Sequence, residues 1–233
     1  MGSSRLPGKV LSDIEGQSML RRVVDRVRRV PGLSEVVVAT TEAPLDEAIV
    51  EECGRIHAPV FRGSENDVLD RYYAASLAHH AEAVLRITSD CPLVDPDESG
   101  RVVDAFLSES ADFAANDLKP TYPIGLGTEV VSAAALEVAW RRATKDYERT
   151  HVMPYIIRRP ERFHLVNVEA PADYGDLRWT VDTNEDLAFV RAIYARLDRG
   201  GHFGWREVLG VLDREPNLAE LNRHVRQKAV EEC

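Results

Sequence analysis

The chain has little cysteine: Cys53, Cys91 and Cys233 are three in 233 residues, odd in number and far apart, with no CxxC spacing. That leaves no basis for a disulfide framework or a cysteine-rich zinc site, and a reducing cytoplasm is the expected compartment. Long apolar runs are missing as well. None approaches the roughly 20 residues that a membrane span needs, so no membrane partner is expected. A secretory leader, charged and then apolar, is not expected either. Positive charge is in deficit, with a formal net charge of -10, which argues against a nucleic-acid partner, since such binders carry a basic face. The basic cluster Arg21, Arg22, Arg26, Arg28 and Arg29 falls on an amphipathic helical pattern and reads as its solvated side.

What remains is enough for a sizeable core. Hydrophobic residues make up 44% and charged residues 29%, a balance that fits one large α/β domain or one domain with a small appendage. From Met19, Leu20, Val23, Val24, Val27 and Val30 recur at helical spacing until Pro31-Gly32 stops them. Val36-Val37-Val38-Ala39 is a short continuous apolar run, as in a strand covered on both faces. A second helix carries Leu45, Ile49, Cys53 and Ile56 on one face, Pro59-Val60-Phe61 makes a strand, and Val68, Leu69 and Tyr72 mark a third helix. Ala83 to Thr88 is the next strand, with a turn at Ser89-Asp90-Cys91-Pro92 and a helix bearing Val102, Val103, Phe106 and Leu107.

This alternation predicts the α/β class: a Rossmann-like, mostly parallel sheet flanked by helices. After about Asp112 the rhythm loosens. A loop rich in Pro and Gly spans 119–127, helices cover about 132–144 and 148–158, and a strand lies near Phe163–Val168. Arg178–Val181 reads as a strand entering a turn, and the tail from Asn184 as three helical pieces. One domain over 1–233 is expected, with a less regular acceptor or dimerisation region at about 112–175 and a helical C-terminal tail.

The first loop concentrates chemistry. Gly2-Ser3-Ser4-Arg5-Leu6-Pro7-Gly8-Lys9 puts two glycines, two hydroxyls and two cations ahead of a helix. Backbone N–H groups exposed at glycine, with Arg5 and Lys9, suit a triphosphate cradle. It is not a Walker A loop, because Val10 stands where Ser or Thr would bind magnesium, and GxGxxG is missing too. From composition alone the loop fits an exposed turn as well as a phosphate site.

The string Met1 to Leu11, MGSSRLPGKVL, resembles the signature loop of cytidylyltransferases related to the CMP-sugar (acylneuraminate and Kdo) synthetases, in particular the spore coat polysaccharide biosynthesis branch. The similarity continues through Ala39-Thr40-Thr41, Phe61 to Tyr72, Arg86 to Leu93 and Thr180 to Leu187, in order along most of the chain. It implies a fold of the nucleotide-diphospho-sugar transferase type. It also implies transfer of CMP from CTP to a sugar acid or related acceptor, dependent on magnesium and releasing pyrophosphate, in surface glycan or natural-product assembly. Arg5 and Lys9 match the phosphate-binding cations, and Ser3 and Ser4 line the same cradle. Asp90 and Asp182 match the two acids that hold Mg2+, which favours hard oxygen ligands such as carboxylate, phosphate and water. Thr40, Arg62 and Thr88 match positions near the nucleotide. Similar enzymes often form a homodimer through the irregular region.

Plain structural readings stand beside these. Asp90 is equally a turn or capping acid, and Asp182 or Thr183 a cap for the helix at Asn184. His151 matches a family histidine but reads equally as a packed or capping residue, and Asp67 with Arg71 as an i,i+4 pair. The chain also departs from the family pattern. An apolar strand normally delivers the first loop, yet only Met1 precedes Gly2, so the fold is expected to lack its first strand, with Met1 an internal methionine of a longer protein. Ile124 and Gly127 stand where acids are common, though Glu129 is kept; Thr150 precedes His151 where Glu is usual, and Asn184 replaces a common proline. Two alternatives stay open: another nucleoside triphosphate, or a truncated, non-catalytic nucleotide-binding relative.

Overall fold

The protein is described by a computed structural model over residues 1–3, 5–198 and 200–227. After a 3-10 turn at Lys9–Leu11, a hairpin of β1 (Asp13–Ile14) and β2 (Gln17–Ser18) leads into α1 (Met19–Val27). Strands and helices then alternate through β3 (Val38–Thr41), α2 (Glu47–Arg55), β4 (Val60–Gly63), α3 (Val68–Ala78), β5 (Ala83–Arg86) and α4 (Pro96–Ser108). The rest comprises β6 (Phe113–Ala115), β7 (Glu129–Ser132), α5 (Ala133–Arg142), α6 (Asp146–His151), α7 (Pro154–Ile157), β8 (Leu165–Asn167), α8 (Asn184–Leu197) and α9 (Trp205–Arg214), before a 3-10 piece at Pro216–Leu221. Fold-type expectations hold: this is an α/β protein with parallel strand pairs.

Side-chain caps start the helices where the sequence supplies them. Ser18 accepts from the Arg21 N–H, Asp67 from Asp70, and Asp95 from both Asp97 and Glu98 with Pro96 at the first position. Each satisfies donors that have no partner within the helix, contributing about 1 kcal/mol. Asp67 does not pair with Arg71 as the i,i+4 reading had it. Its carboxylate meets Arg149 at 2.7 Å, while Arg71 donates to the Ser64 carbonyl.

The basic cluster is the clearest correction. Arg22 and Arg26 are buried, not solvated, with 7% and 5% of their surface exposed. Arg22 donates to the Ile14 and Glu15 carbonyls, pairs with Asp198 at 2.7 Å and lies over the Tyr194 ring. Arg26 reaches the Tyr194 hydroxyl and the Val94 and Phe203 carbonyls. Helical spacing showed which residues share a face but not that α8 and the Phe203 loop would cover that side. Guanidinium groups tolerate such cover because their donors form a planar fork that several carbonyls can fill.

The sheet is in two pieces. β3 and β4 pair in parallel, Val38 opposite Val60, and the second piece has the order β5-β7-β6-β8. Within it β7 runs antiparallel to β5 and β6, and β6 is parallel to β8, so only β7 opposes the common direction. β6 and β7 are the strands the loosening rhythm concealed. Arg178–Val181, read as a strand, makes only an isolated bridge from Arg178 to Ile124. The helix expected over 148–158 splits at Val152, where φ is 73° and Met153 N–H bonds the His151 carbonyl at 2.9 Å. That is a positive-φ γ-turn, rare and strained for a β-branched residue.

Between the two pieces runs a trench of about 730 Å³. Val36 and Val38 line one side, Leu85 and Ile87 the other, with Val23 of α1 and Phe106 of α4 also facing it. Among the described residues β3 pairs only with β4 and β5 only with β7, so each leaves one edge unpaired there. Met1 lies at the carboxyl end of β3, its amino group 2.6 Å from Asp46, whose carboxylate also accepts from the Thr40 and Thr41 hydroxyls. An extended apolar segment running parallel to β3 and ending at Met1 would meet both open edges. A protein carrying six β-branched apolar residues ahead of Met1 is expected to melt several degrees higher, because about 1 kcal/mol moves the midpoint by roughly 2–4 °C at this size. An unchanged or lower melting temperature would show that the trench does not accept a strand.

Candidate active site

The candidate site forms at the carboxyl ends of β3 and β5, where open α/β sheets place their ligands. Gly8, at φ 71°, turns the first loop back over these ends and starts the 3-10 turn that carries Lys9. The Lys9 ammonium then lies between the two acids: its Nζ is 2.8 Å from Asp90 Oδ2, 2.8 Å from Asp182 Oδ1 and 2.8 Å from the Val181 carbonyl oxygen. Burial works against the charged amine, but the two carboxylates outweigh it and raise the Lys9 pKa above its ordinary value. Arg5 joins from the same loop, its Nη2 2.8 Å from the other oxygen of Asp182.

Asp90 comes from the turn after β5 and caps no helix. Its carbonyl accepts from the Val181 N–H at 2.8 Å and from the Thr180 hydroxyl at 3.1 Å, which ties the two acid-bearing segments together. The capping role falls to Thr183, in a reciprocal box with Asp186 at the start of α8. Asp182 is thereby left free for the cations.

Beneath it Arg178 donates to both oxygens of Asp186, at 2.9 and 3.0 Å, and to Asp182 at 2.8 Å. Asp186 is fully buried and also accepts from the Asp182 and Thr183 N–H groups and the Asn222 amide. Burial pushes its carboxyl upward, yet Arg178 and these donors hold it below the usual carboxylate range. Asp182 is depressed in the same way, burial being outweighed by Lys9, Arg178 and Arg5. Arg178, Asp186 and Asn222 escaped the sequence reading. The only signal for Arg178 was its place four residues before Asp182.

The other expected residues scatter around this centre. Ser3 accepts from the Leu6 N–H at 3.2 Å and so shapes the loop, while Ser4, like Cys233, lies outside the described residues. Thr40 and Thr88 line the trench at its carboxyl end. Arg62 is not brought to the acid pair. It donates to the Thr41 and Ala43 carbonyls and meets Glu47 at 2.8 Å, holding the turn after β3. Cys91, beside Asp90, is buried, and loss of hydration followed by the Asp90 charge pushes its thiol up to about 12.

A second charged group lies on β5 and β7, where Arg86 pairs with Glu129. Asp117, missed in the sequence, stands beside Glu129, and the loss of hydration at its carboxyl, followed by that neighbouring charge, pushes it up to about 7. A Cβ on Gly127 would fall 2.9 Å from Asp117 Oδ2, so the space open to a side chain at 127 is already taken by this carboxylate.

Lys9 acts as a stand-in ion for testing a metal. Two carboxylate oxygens and one carbonyl already surround a single cation at 2.8 Å each, the hard-oxygen environment that Mg2+ accepts. Among the described residues no three His, Cys, Asp or Glu side chains converge. A dication between Asp90 and Asp182 would therefore complete its ligand shell with phosphate and water. The residues fit such an ion.

The alternating fold, with a loop of cations over the strand ends and two acids beneath it, defines a nucleotidyltransferase. The family profile described as cytidylyltransferase matches residues 1–195, and the chain belongs to that family. It is 31% identical over 230 residues to the spore coat polysaccharide biosynthesis protein SpsF of Bacillus subtilis, covering 94% of this chain and 93% of that one. It is 35% identical over 239 residues to the uncharacterized protein MJ1063 of Methanocaldococcus jannaschii, covering 99% and 94%. The solved structure of a cytidylyltransferase from Leptospira borgpetersenii superposes with a TM-score of 0.90 at 27% identity, covering 98% of this chain and 95% of that one.

Two substitutions probe the framework. Asp186→Asn is expected to cost about 3–5 kcal/mol at neutral pH, because it leaves Arg178 buried beside a neutral amide. Since the Asp186 pKa is depressed on folding, its stabilisation is complete above the ordinary carboxylate value near ~3.9 and is lost as pH falls through the lower folded value. Urea midpoints of wild type and variant should therefore converge only in strong acid; a gap independent of pH would contradict the assignment. Gly125 has φ 109°, and a Cβ there would lie 2.5 Å from the Thr180 backbone nitrogen. Gly125→Ala is expected to cost about 2 kcal/mol or more by denaturant unfolding.

Proposed function

We propose that this nucleotidyltransferase moves CMP from CTP to a hydroxyl of a sugar acid or related acceptor and releases pyrophosphate, in surface glycan or natural-product biosynthesis. The observation that carries the reading is the single cation held between Asp90 and Asp182 beneath the Gly2–Lys9 loop. Arg5 and Lys9 bind the triphosphate, with Ser3 and nearby backbone N–H groups lining the cradle. Asp90 and Asp182 hold Mg2+, which when bound neutralises charge on the phosphate oxygens. Thr40 and Thr88 face the nucleotide from the strand ends, and Arg62 acts through the turn it braces.

Reaction proceeds by in-line displacement. An acceptor oxygen forms a bond to the α-phosphorus and gives up its proton to solvent, and the bond to pyrophosphate, which leaves, breaks. Positioning and electrostatic stabilisation provide most of the rate, with no covalent enzyme intermediate. Glu129, paired with Arg86 and near Asp117, contributes to the acceptor pocket in this reading. The whole of 1–233 serves as one domain, with 112–175 as the acceptor and homodimer region, working in the cytoplasm without a nucleic-acid or membrane partner. No helix among the described residues is long and apolar enough to cross a membrane.

The open trench beside Thr40 and Thr88 favours one second reading, a relative that binds a nucleoside triphosphate without turnover. Melting curves with Mg2+ and each of CTP, UTP, ATP and GTP address the nucleotide. A stabilisation of about 2.7 kcal/mol at a hundredfold excess over Kd is expected with CTP alone. A larger shift with another nucleotide reassigns the donor. Pyrophosphate release that depends on Mg2+ and disappears in Asp90→Ala is the expected result for the enzyme, whereas binding with no release in the wild type supports the second reading.

A further inference from the structure

Lys9 has no donor left for a phosphate. An ammonium carries three N–H bonds, and here they go to Asp90, Val181 and Asp182. Among the described residues Lys9 is the cation that bridges both acids; Arg5 and Arg178 meet Asp182, each at 2.8 Å on its second oxygen. The nitrogen therefore occupies the position a metal ion would take, and two cations cannot share it. The partners are unequal. If Lys9 moves away, Asp182 keeps Arg5 and Arg178, whereas Asp90 loses the cation it now holds.

We propose that Lys9 is a tethered substitute for the metal, occupying its position in the nucleotide-free protein and leaving it for the phosphates when metal and nucleotide arrive together. This rests on the CTP and magnesium reading above. The backbone of Lys9 is fixed by its N–H bond to the Leu6 carbonyl and by Gly8 before it, while rotation about its four-carbon stem would re-aim the ammonium. Metal alone must displace Lys9 with nothing to receive it, and so binds weakly. The nucleotide supplies anionic oxygens that accept the displaced ammonium, so metal and nucleotide strengthen each other's binding, and by linkage the coupling is mutual.

Mn2+ is titrated by calorimetry into wild type, Lys9→Met and Asp90→Asn, first without nucleotide and then with CTP. Lys9→Met is expected to bind Mn2+ alone at least about tenfold more tightly than wild type. CTP should strengthen Mn2+ binding strongly in wild type and much less in Lys9→Met, a factor within the range of about 5–150 usual for such couplings. If Lys9→Met binds Mn2+ no more tightly than wild type, while Asp90→Asn abolishes Mn2+ binding with CTP, the metal position stands and the substitution role of Lys9 is overturned. If Asp90→Asn leaves Mn2+ binding unchanged throughout, the metal reading itself fails and takes this proposal with it. Lys9→Gln repeats the comparison if Lys9→Met does not fold.

Discussion

Arg178 sits between two carboxylates, Asp182 and Asp186, and the arrangement of the site follows from that contact. A buried guanidinium is tolerable only if its charge and donors are met, and here Asp186 takes two donors and Asp182 a third. The same Asp186 completes the box that starts α8, so the helix, the Arg178 segment and Asp182 are fixed by one residue. Gly125 lets the loop at Ile124 approach that segment closely, and Trp179 and Val181 anchor it in the largest apolar cluster. Lys9 and Arg5 then bring the first loop onto Asp182 from above. Three cations and three carboxylates (Arg5, Lys9 and Arg178 against Asp90, Asp182 and Asp186) leave the cluster near neutrality.

Much of this was legible in the residues. The alternation up to α4 follows from apolar spacing and turn residues, and the resemblance of five separated blocks pointed to Arg5, Lys9, Asp90 and Asp182, which the fold brings together from positions up to 177 residues apart. What stayed hidden depends on tertiary contacts. Arg22 and Arg26 look like solvent-facing charges until α8 covers them. β6 is only three residues long, and β7 draws its place from neighbours on both sides, so neither gives a clear period of two. Asn222 reaches Asp186 from far along the chain, and no local pattern announces that contact. Asp117 fills the space at Gly127 for the same reason: the pairing of β6 with β7 sets them opposite each other.

The trench separates what is firm in this architecture from what is open. Packing of α1 against α2 and of α3 against β5–β8 holds each half of the sheet, but the two halves share no strand. The charged centre lies at one end of that gap and is cross-linked through Lys9, which explains how the acids keep their geometry beside two unpaired edges. Thr40 and Thr88, on opposite sides of the opening, have no such cross-link. On the proposed function, charge would set phosphate and metal recognition, and the spacing of the two halves would set base selectivity.

In the proposed function a divalent ion and the nucleotide triphosphate meet between Asp90 and Asp182. It is tested most directly by paramagnetic broadening of backbone amide resonances with Mn2+ and CTP bound. Signals of residues 88–91 and 180–183 are predicted to disappear first, together with those of Gly8 and Lys9, while those of α9 persist. Broadening centred elsewhere, for example around Glu129 and Asp117, would contradict the account.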